Sequence, residues 1–336
     1  MKSNKNDPNI PSLIKKFLIE HLLNYQNASL NTIQSYGEVI RLLMEYLQNY
    51  HQVQPEKVSL KDLNANNILG FLDYLQSERN NSIRTRNTRL AIIRSFVNYL
   101  LLINPVWSAD LQGVLAIPKK KSAKKVIDYL SQEEINLLLE TPDPDTWTGQ
   151  RDRILLLMMY NTGARVSEII RLKVSDAKLE SRNGKIHLFG KGRKERSLPL
   201  WSNTVKLLKE WIKKNGYTAE MPLIPNSRGK FMSRWGITDR LSASVSKAAK
   251  TIRSFKTRGI SPHMIRHTTA MHFLQSGIDI TTIAMWLGHE SIETTQIYVT
   301  ADMEMKEKAL KTLQEPKSKK FRYKPSDSLL KFLENL

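Results

Sequence analysis

The stretch RDRILLLMMYNTGARVSEIIRL, residues 151–172, decides how the second half of this chain is read. Its apolar run from Ile154 to Tyr160 is the longest in the sequence, and Thr162-Gly163 interrupts it. The spacing predicts two helical stretches around a turn, with Arg165 just beyond the break. Working outward toward the C-terminus, KIHLFGKGRKERSLPL (185–200) reads as two short strands joined at Gly190-Lys191-Gly192. Beyond Ser261 the pattern is helical again, through MIRHTTAMHFLQSG, ITTIAMWLGHE and SIETTQIYVTA.

Toward the N-terminus the pattern is helical without strands. In SLNTIQSYGEVIRLLMEYLQNY, residues Leu30, Ile33, Val39, Ile40, Leu43, Met44 and Leu47 recur at helical spacing. In SIRTRNTRLAIIRSFVNYLLLIN, Leu90, Ile93, Val97 and Leu100 do the same, and the start carries Arg84, Arg86 and Arg89. Those arginines read either as a solvated helix face or as contacts along a phosphate backbone, and the charge of the chain favours the second. Pro118 and KKKSAKK (119–125) then break the pattern, because a cluster of like charges repels and cannot pack. Lys119, Lys120, Lys121, Lys124 and Lys125 are therefore expected in an extended basic linker lying against DNA, as Arg193 and Lys194 of the hairpin would. Ser131 with Glu134 forms a capping box that opens the next helix.

The expected architecture is mostly α with one small β-hairpin. It divides into a helical domain at 1–117, a linker at 118–126, a mixed α+β domain at 127–311 and a tail at 312–336. The tail ends in a small amphipathic stretch, Leu329 to Leu336, which docks either on its own core or on a neighbouring subunit.

Composition narrows the partner. The chain has 336 residues, with 52 Lys+Arg against 32 Asp+Glu and a net charge of +20. Such an excess costs self-repulsion in the folded state and suits a polyanion. A membrane surface is the weaker reading, since the longest apolar run is far short of the ~20 residues that span a bilayer. MKSNKNDPNIPSL lacks the apolar segment of a secretory signal. The absence of cysteine excludes disulfides, thiolate catalysis and cysteine-ligated zinc, and fits a reducing cytoplasm. Double-stranded DNA is the expected partner.

Three local segments and the hairpin hold the chemistry: TGARVSE, SPHMIRHT, LGHESIETTQIY and GKGRKER. Cleaving a phosphodiester without a metal requires fixed cations around the non-bridging oxygens, and arginine's planar fork binds two oxygens at once. A tyrosine hydroxyl needs a base or a cationic surrounding to attack, and the departing 5′ oxygen needs a proton. The chain supplies Arg165, Arg266 and His289 for the phosphate, Tyr298 for attack, His263 as base and Lys191 as acid. His263 and Arg266, three apart, share one face of a helical turn. His289 follows Leu287-Gly288, a helix C-cap signal, and so belongs on a turn.

Here the chain closely resembles the tyrosine recombinases, also called the phage integrase family. The family pattern of Arg, hairpin Lys, H-x-x-R, His or Trp, then Tyr stands here as Arg165, Lys191, His263-x-x-Arg266, His289 and Tyr298. The words TGARVSE, GKGRKER-x-LPL, SPH-x-x-RHT and LGH-x-x-x-x-TTQ-IY match as well. The likeness is detailed from about Tyr129 to Lys308 and extends to the N-terminal region in character. It implies a helical, SAM-like core-binding domain and a catalytic domain forming a C-shaped clamp on DNA. It also implies a 3′-phosphotyrosyl intermediate without ATP, and tetramers linked by exchange of a C-terminal segment. Partner recombinases or accessory proteins belong to the same expectation. The C-terminal wording is similar to recombinases of bacterial mobile elements.

Plainer readings stand beside these. Arg165 and Glu168 form an ordinary helix-surface pair, or Glu168 orients the arginine. His263 and His267 are i,i+4, but a zinc-protease motif needs glutamate after the first histidine and Met264 stands there, so no metal or cofactor is expected. His267 and His272 read as packed or hydrogen-bonded, Trp286 as core, and Lys191 as an ordinary turn lysine if not the acid. Competing functions are a type IB topoisomerase or telomere resolvase with the same chemistry, and a DNA-binding regulator that does not cut.

Overall fold

A computed structural model describes residues 9–122, 127–179, 184–190, 195–289 and 291–301. Lys124, Lys125, Lys191, Arg193, Lys194 and the tail at 312–336 lie outside the described residues. The chain divides into two compact units, Met1–Lys124 and Lys125–Leu336.

Among the described residues the first unit is entirely helical. Helix α1 (Ile10–Lys16) continues as a π-helical stretch, Phe17–Tyr25. It is followed by α2 (Leu30–His51), α3 (Ala65–Ser77), α4 (Ile83–Ile103) and α5 (Ser108–Ala116). Ser29 and Ser82 cap α2 and α4 by accepting from the amides of Thr32 and Thr85, which satisfies donors that no helical turn can reach. The core joins Phe17, Leu43, Leu47, Phe71, Leu90 and Phe96. Leu30 departs from the expected apolar stripe and is 69% exposed, because it is the first residue of its helix and precedes the packed turns.

Arg86 departs from the expected arginine surface. It lies on the i, i+4, i+7 face shared with Leu90 and Ile93, which is the packed face of α4, and it is 2% exposed. Its Nη1 donates to Asn87 at 3.3 Å, and its Nε has no partner among the described residues. Arg84 is exposed and Arg89 half-buried. Residues 118–122 have no regular structure, and Lys120 among them is pinned. The Asn87 amide donates to Lys120 O at 2.8 Å and accepts the Lys120 N–H at 3.1 Å, while Lys120 Nζ reaches Gln76 at 2.7 Å.

The second unit is built around α7 (Trp147–Thr162), preceded by α6 (Gln132–Glu140), whose Ser131/Glu134 capping box is formed. From Ile154 to Thr162 every residue of α7 is buried, which explains why its sequence is apolar all round rather than striped. Helix α8 (Val166–Ile170) follows. A three-stranded antiparallel sheet comes next, β1 (Ala177–Lys178), β2 (Lys185–Phe189) and β3 (Glu195–Pro199), in the order β1-β2-β3. Ile186 opposite Leu198 and Leu188 opposite Arg196 set its register, with the three aliphatic side chains facing the core. Then come α9 (Ser202–Asn215), α10 (Arg234–Ala248), α11 (Ser254–Thr257), α12 (Pro262–Gln275), α13 (Ile280–Leu287) and α14 (Glu293–Ala301). Among the described residues no helix is long and apolar enough to cross a membrane.

Candidate active site

The site forms where α7 ends, α8 begins and α13 ends. Gly163 closes α7 at φ +57, a left-handed conformation that glycine adopts without a Cβ penalty. Arg165 then stands at the N-cap of α8. Gly288 closes α13 in the same way at φ +65, which places His289 on the turn as the sequence predicts. A Cβ on Gly288 would stand 2.8 Å from the guanidinium of Arg196, so the turn is also tight against β3.

A helix end leaves its last carbonyls without intrahelical partners and carries partial negative charge. At the end of α13 three successive carbonyls are each taken by a different arginine. Arg196 Nε donates to Trp286 O at 2.8 Å, Arg266 Nη2 to Leu287 O at 2.7 Å, and Arg165 Nη2 to Gly288 O at 3.1 Å. Arg266 also donates through Nη1 to Gly163 O at 2.7 Å, tying the ends of α7 and α13 together. The guanidinium of Arg266 is buried, while the Arg165 side chain is 37% exposed and open to a ligand.

Glu168 completes this frame. Its carboxylate accepts from Arg196 at 2.9 Å on each oxygen, from the Arg165 amide at 2.7 Å and from the Arg165 guanidinium at 3.3 Å. Burial works to raise its pKa, but the bond and charge of Arg196, then the contacts with Arg165, hold it below the usual carboxylate range. Two arginines thus share one carboxylate, while the third, Arg266, is bonded to backbone carbonyls. Among the described residues the excess positive charge has no further carboxylate bonded to it in this frame, the condition for binding an anion. Burial, then repulsion from Arg165, lowers the pKa of Arg266 to about 10, which leaves it charged at neutral pH.

The tyrosine comes from α14 of the same chain. Tyr298 is 1% exposed, packed with Ala270, Met271, Leu274, Ile283 and Leu287. Its hydroxyl is hydrogen-bonded to His267 Nδ1 at 2.8 Å, and its ring lies near parallel to that of His289, at 11° and 6.4 Å. Burial drives its pKa up to about 12, partly opposed by Arg266 and Arg165. His289 is oriented by Thr295, whose Oγ1 is 2.7 Å from Nδ1. Burial and then Arg266 and Arg165 depress its pKa to about 4. His263, on the exposed side of α12, meets the His267 ring edge-on at 4.3 Å, and its pKa is lowered by loss of solvation, then by Arg266 and Arg165.

The structure therefore brings together Arg165, His263, Arg266, His289 and Tyr298, and leaves Lys191 outside the described residues. Arg196 and His267 were missed as parts of the site. Arg196 sits in a run of basic residues that hides its inward register on β3, whereas His267 is signalled by its i+4 spacing from His263. His272 is hydrogen-bonded, to Tyr160 at 2.8 Å and to Leu130 O at 3.0 Å. Trp286 is half-buried against Phe273. Among the described residues no group of three metal-ligating side chains is assembled.

Comparison with known proteins gives the family. Residues 128–305 match the model described as the phage integrase family, and residues 14–102 match the phage integrase N-terminal SAM-like domain. An integrase/recombinase of Sinorhizobium fredii is 37% identical over 324 residues, covering 96% of this chain and 97% of that protein. The tyrosine recombinase XerC of Pelobacter propionicus is 32% identical over 285 residues, covering 84% of this chain and 89% of that protein. The XerH site-specific recombinase, solved bound to its palindromic difH substrate after cleavage, shares the fold with a TM-score of 0.65 at 22% identity. That match covers 89% of this chain and 83% of that one. The chain belongs to the phage integrase family and is a tyrosine recombinase.

Proposed function

We propose that this protein recombines duplex DNA at specific sites, each active subunit cutting one strand through its Tyr298 to form a 3′-phosphotyrosyl bond and a free 5′-hydroxyl, with two strands cut in each round. One observation carries the reading: Arg165 and Arg266 are fixed on backbone carbonyls beside a tyrosine held between His267 and His289. The arginines meet the charge that develops on the non-bridging oxygens, with His263 and His289 as neutral imidazole partners to the same phosphate. Because the guanidinium groups are already bonded to the frame, little reorganisation accompanies the reaction. The phosphate ester energy passes into the tyrosyl ester, so rejoining needs no ATP, and Lys191 is the expected acid for the 5′ oxygen.

The exposed Arg84, the half-buried Arg89 and the lysines at 119–121 follow the DNA backbone in this account. Two DNA sites are held by a tetramer, and the likeness to integrase/recombinases points to integration or excision of a mobile element in the cytoplasm. The test is a nicked suicide substrate carrying the element's end sequence. A denaturant-resistant protein–DNA adduct is expected, undiminished in EDTA, from the native chain and none from Tyr298→Phe, which still binds DNA. An adduct from the Phe variant would remove Tyr298 from this role.

A further inference from the structure

The sequence pattern nominates His263 as the base that frees the tyrosine, yet the Tyr298 hydroxyl touches a different imidazole. We propose that His267 accepts the Tyr298 proton. Resting on the assignment of Tyr298 as nucleophile, this names the acid–base partner of that same site. The hydroxyl and His267 Nδ1 are 2.8 Å apart, and the two rings meet at 63° with centroids 5.5 Å apart. No rearrangement is needed for proton transfer along that bond.

Burial, then the charges of His263 and Arg266, depresses the pKa of His267 to about 4, which leaves the ring neutral with a lone pair free at physiological pH but makes it a weak base before the phosphate arrives. With Nε2 protonated, Nδ1 faces the hydroxyl as acceptor. An arriving phosphate brings negative charge that offsets Arg165 and Arg266. That charge raises the basicity of His267 at the moment the substrate is in place. The proton moves from Tyr298 Oη to His267 Nδ1, the Oη–P bond forms, and the P–O5′ bond breaks with its electron pair on the 5′ oxygen, which takes a proton from the acid. On rejoining, the imidazolium returns its proton to the departing phenol oxygen.

The experiment measures single-turnover cleavage of the suicide substrate alongside DNA affinity. His267→Ala is expected to slow adduct formation by about 10²-fold or more, with affinity changed by no more than about threefold. His267→Asn, whose carbonyl can still accept the hydroxyl's hydrogen bond but cannot keep the proton, is expected to be equally slow. Added imidazole should restore the Ala variant in proportion to its concentration, whereas pyrazole, of the same size but far less basic, should not. Native-like rates in either variant, or equal rescue by pyrazole, would reduce His267 to a packing role and overturn the proposal. A native chain that forms no adduct, or forms it on another residue, would instead overturn the nucleophile assignment, and this inference with it.

Discussion

Arg266 Nη1 donates to the carbonyl oxygen of Gly163 at 2.7 Å, a bond between residues 103 apart in sequence. It means that the turn ending α7 holds the arginine proposed to receive the phosphate. A conformational demand on a glycine thereby becomes a demand on catalysis.

Gly163→Ala follows from this bond. At φ +57 a Cβ is strained, and it would stand 2.6 Å from Leu287 Cδ2. Left-handed strain and the displaced contact together predict a loss of about 1–3 kcal/mol, readable in urea unfolding. Cleavage should fall as well, because Leu287 O is the second anchor of Arg266. Unchanged stability would show that the turn relaxes freely.

Glu168→Ala removes the carboxylate shared by Arg165 and Arg196. Breaking a buried ion pair from one side costs about 3–5 kcal/mol, since the remaining charge is left uncompensated. Glu168→Gln keeps acceptors for part of the network and should lose less. Thermal unfolding of both variants checks the order, and equal melting points for the native chain and Glu168→Ala would contradict it.

Arg266→Lys preserves charge but not geometry. One ammonium cannot replace a fork that spans Gly163 O and Leu287 O. Cleavage is expected to fall roughly 10²–10³-fold, with a much smaller change in DNA affinity. A lysine variant that cleaves like the native chain would show that charge alone suffices.

Acid should weaken the fold before its carboxylates titrate. His267 and His289 are held at about 4 against an ordinary 6.5, so between those values the unfolded chain binds more protons than the folded one. Stability is therefore full above pH 6.5 and declines as pH falls toward 4, and His263 and His272 shift in the same direction. The melting temperature should drop between pH 6.5 and 4.5, and less steeply in His267→Asn or His289→Asn. A flat profile in that window would contradict the burial of these rings.

Much of this was legible in the sequence where local signals decide structure. The break at Thr162-Gly163, the capping box at Ser131, the hairpin at 185–200 and the turn before His289 all follow from residue chemistry within a few positions. Tertiary facts were not legible. Arg86 reads as surface by its charge and becomes core by its alignment with Leu90 and Ile93. The three arginines converging on Trp286, Leu287 and Gly288 come from β3, α8 and α12, and no spacing rule links those elements. Backbone carbonyls as partners have no residue signature at all. That is why Arg196 was passed over and why His267 reads from sequence only as a packed or hydrogen-bonded histidine.

The central claim is that one tyrosine becomes joined to the phosphate that the arginines hold. Digesting the trapped adduct with protease and nuclease, then sequencing the modified peptide by mass spectrometry, reads this directly. The account predicts a nucleotide attached through its 3′ phosphate to Tyr298. Attachment to any other side chain, or linkage through a 5′ phosphate, would contradict it.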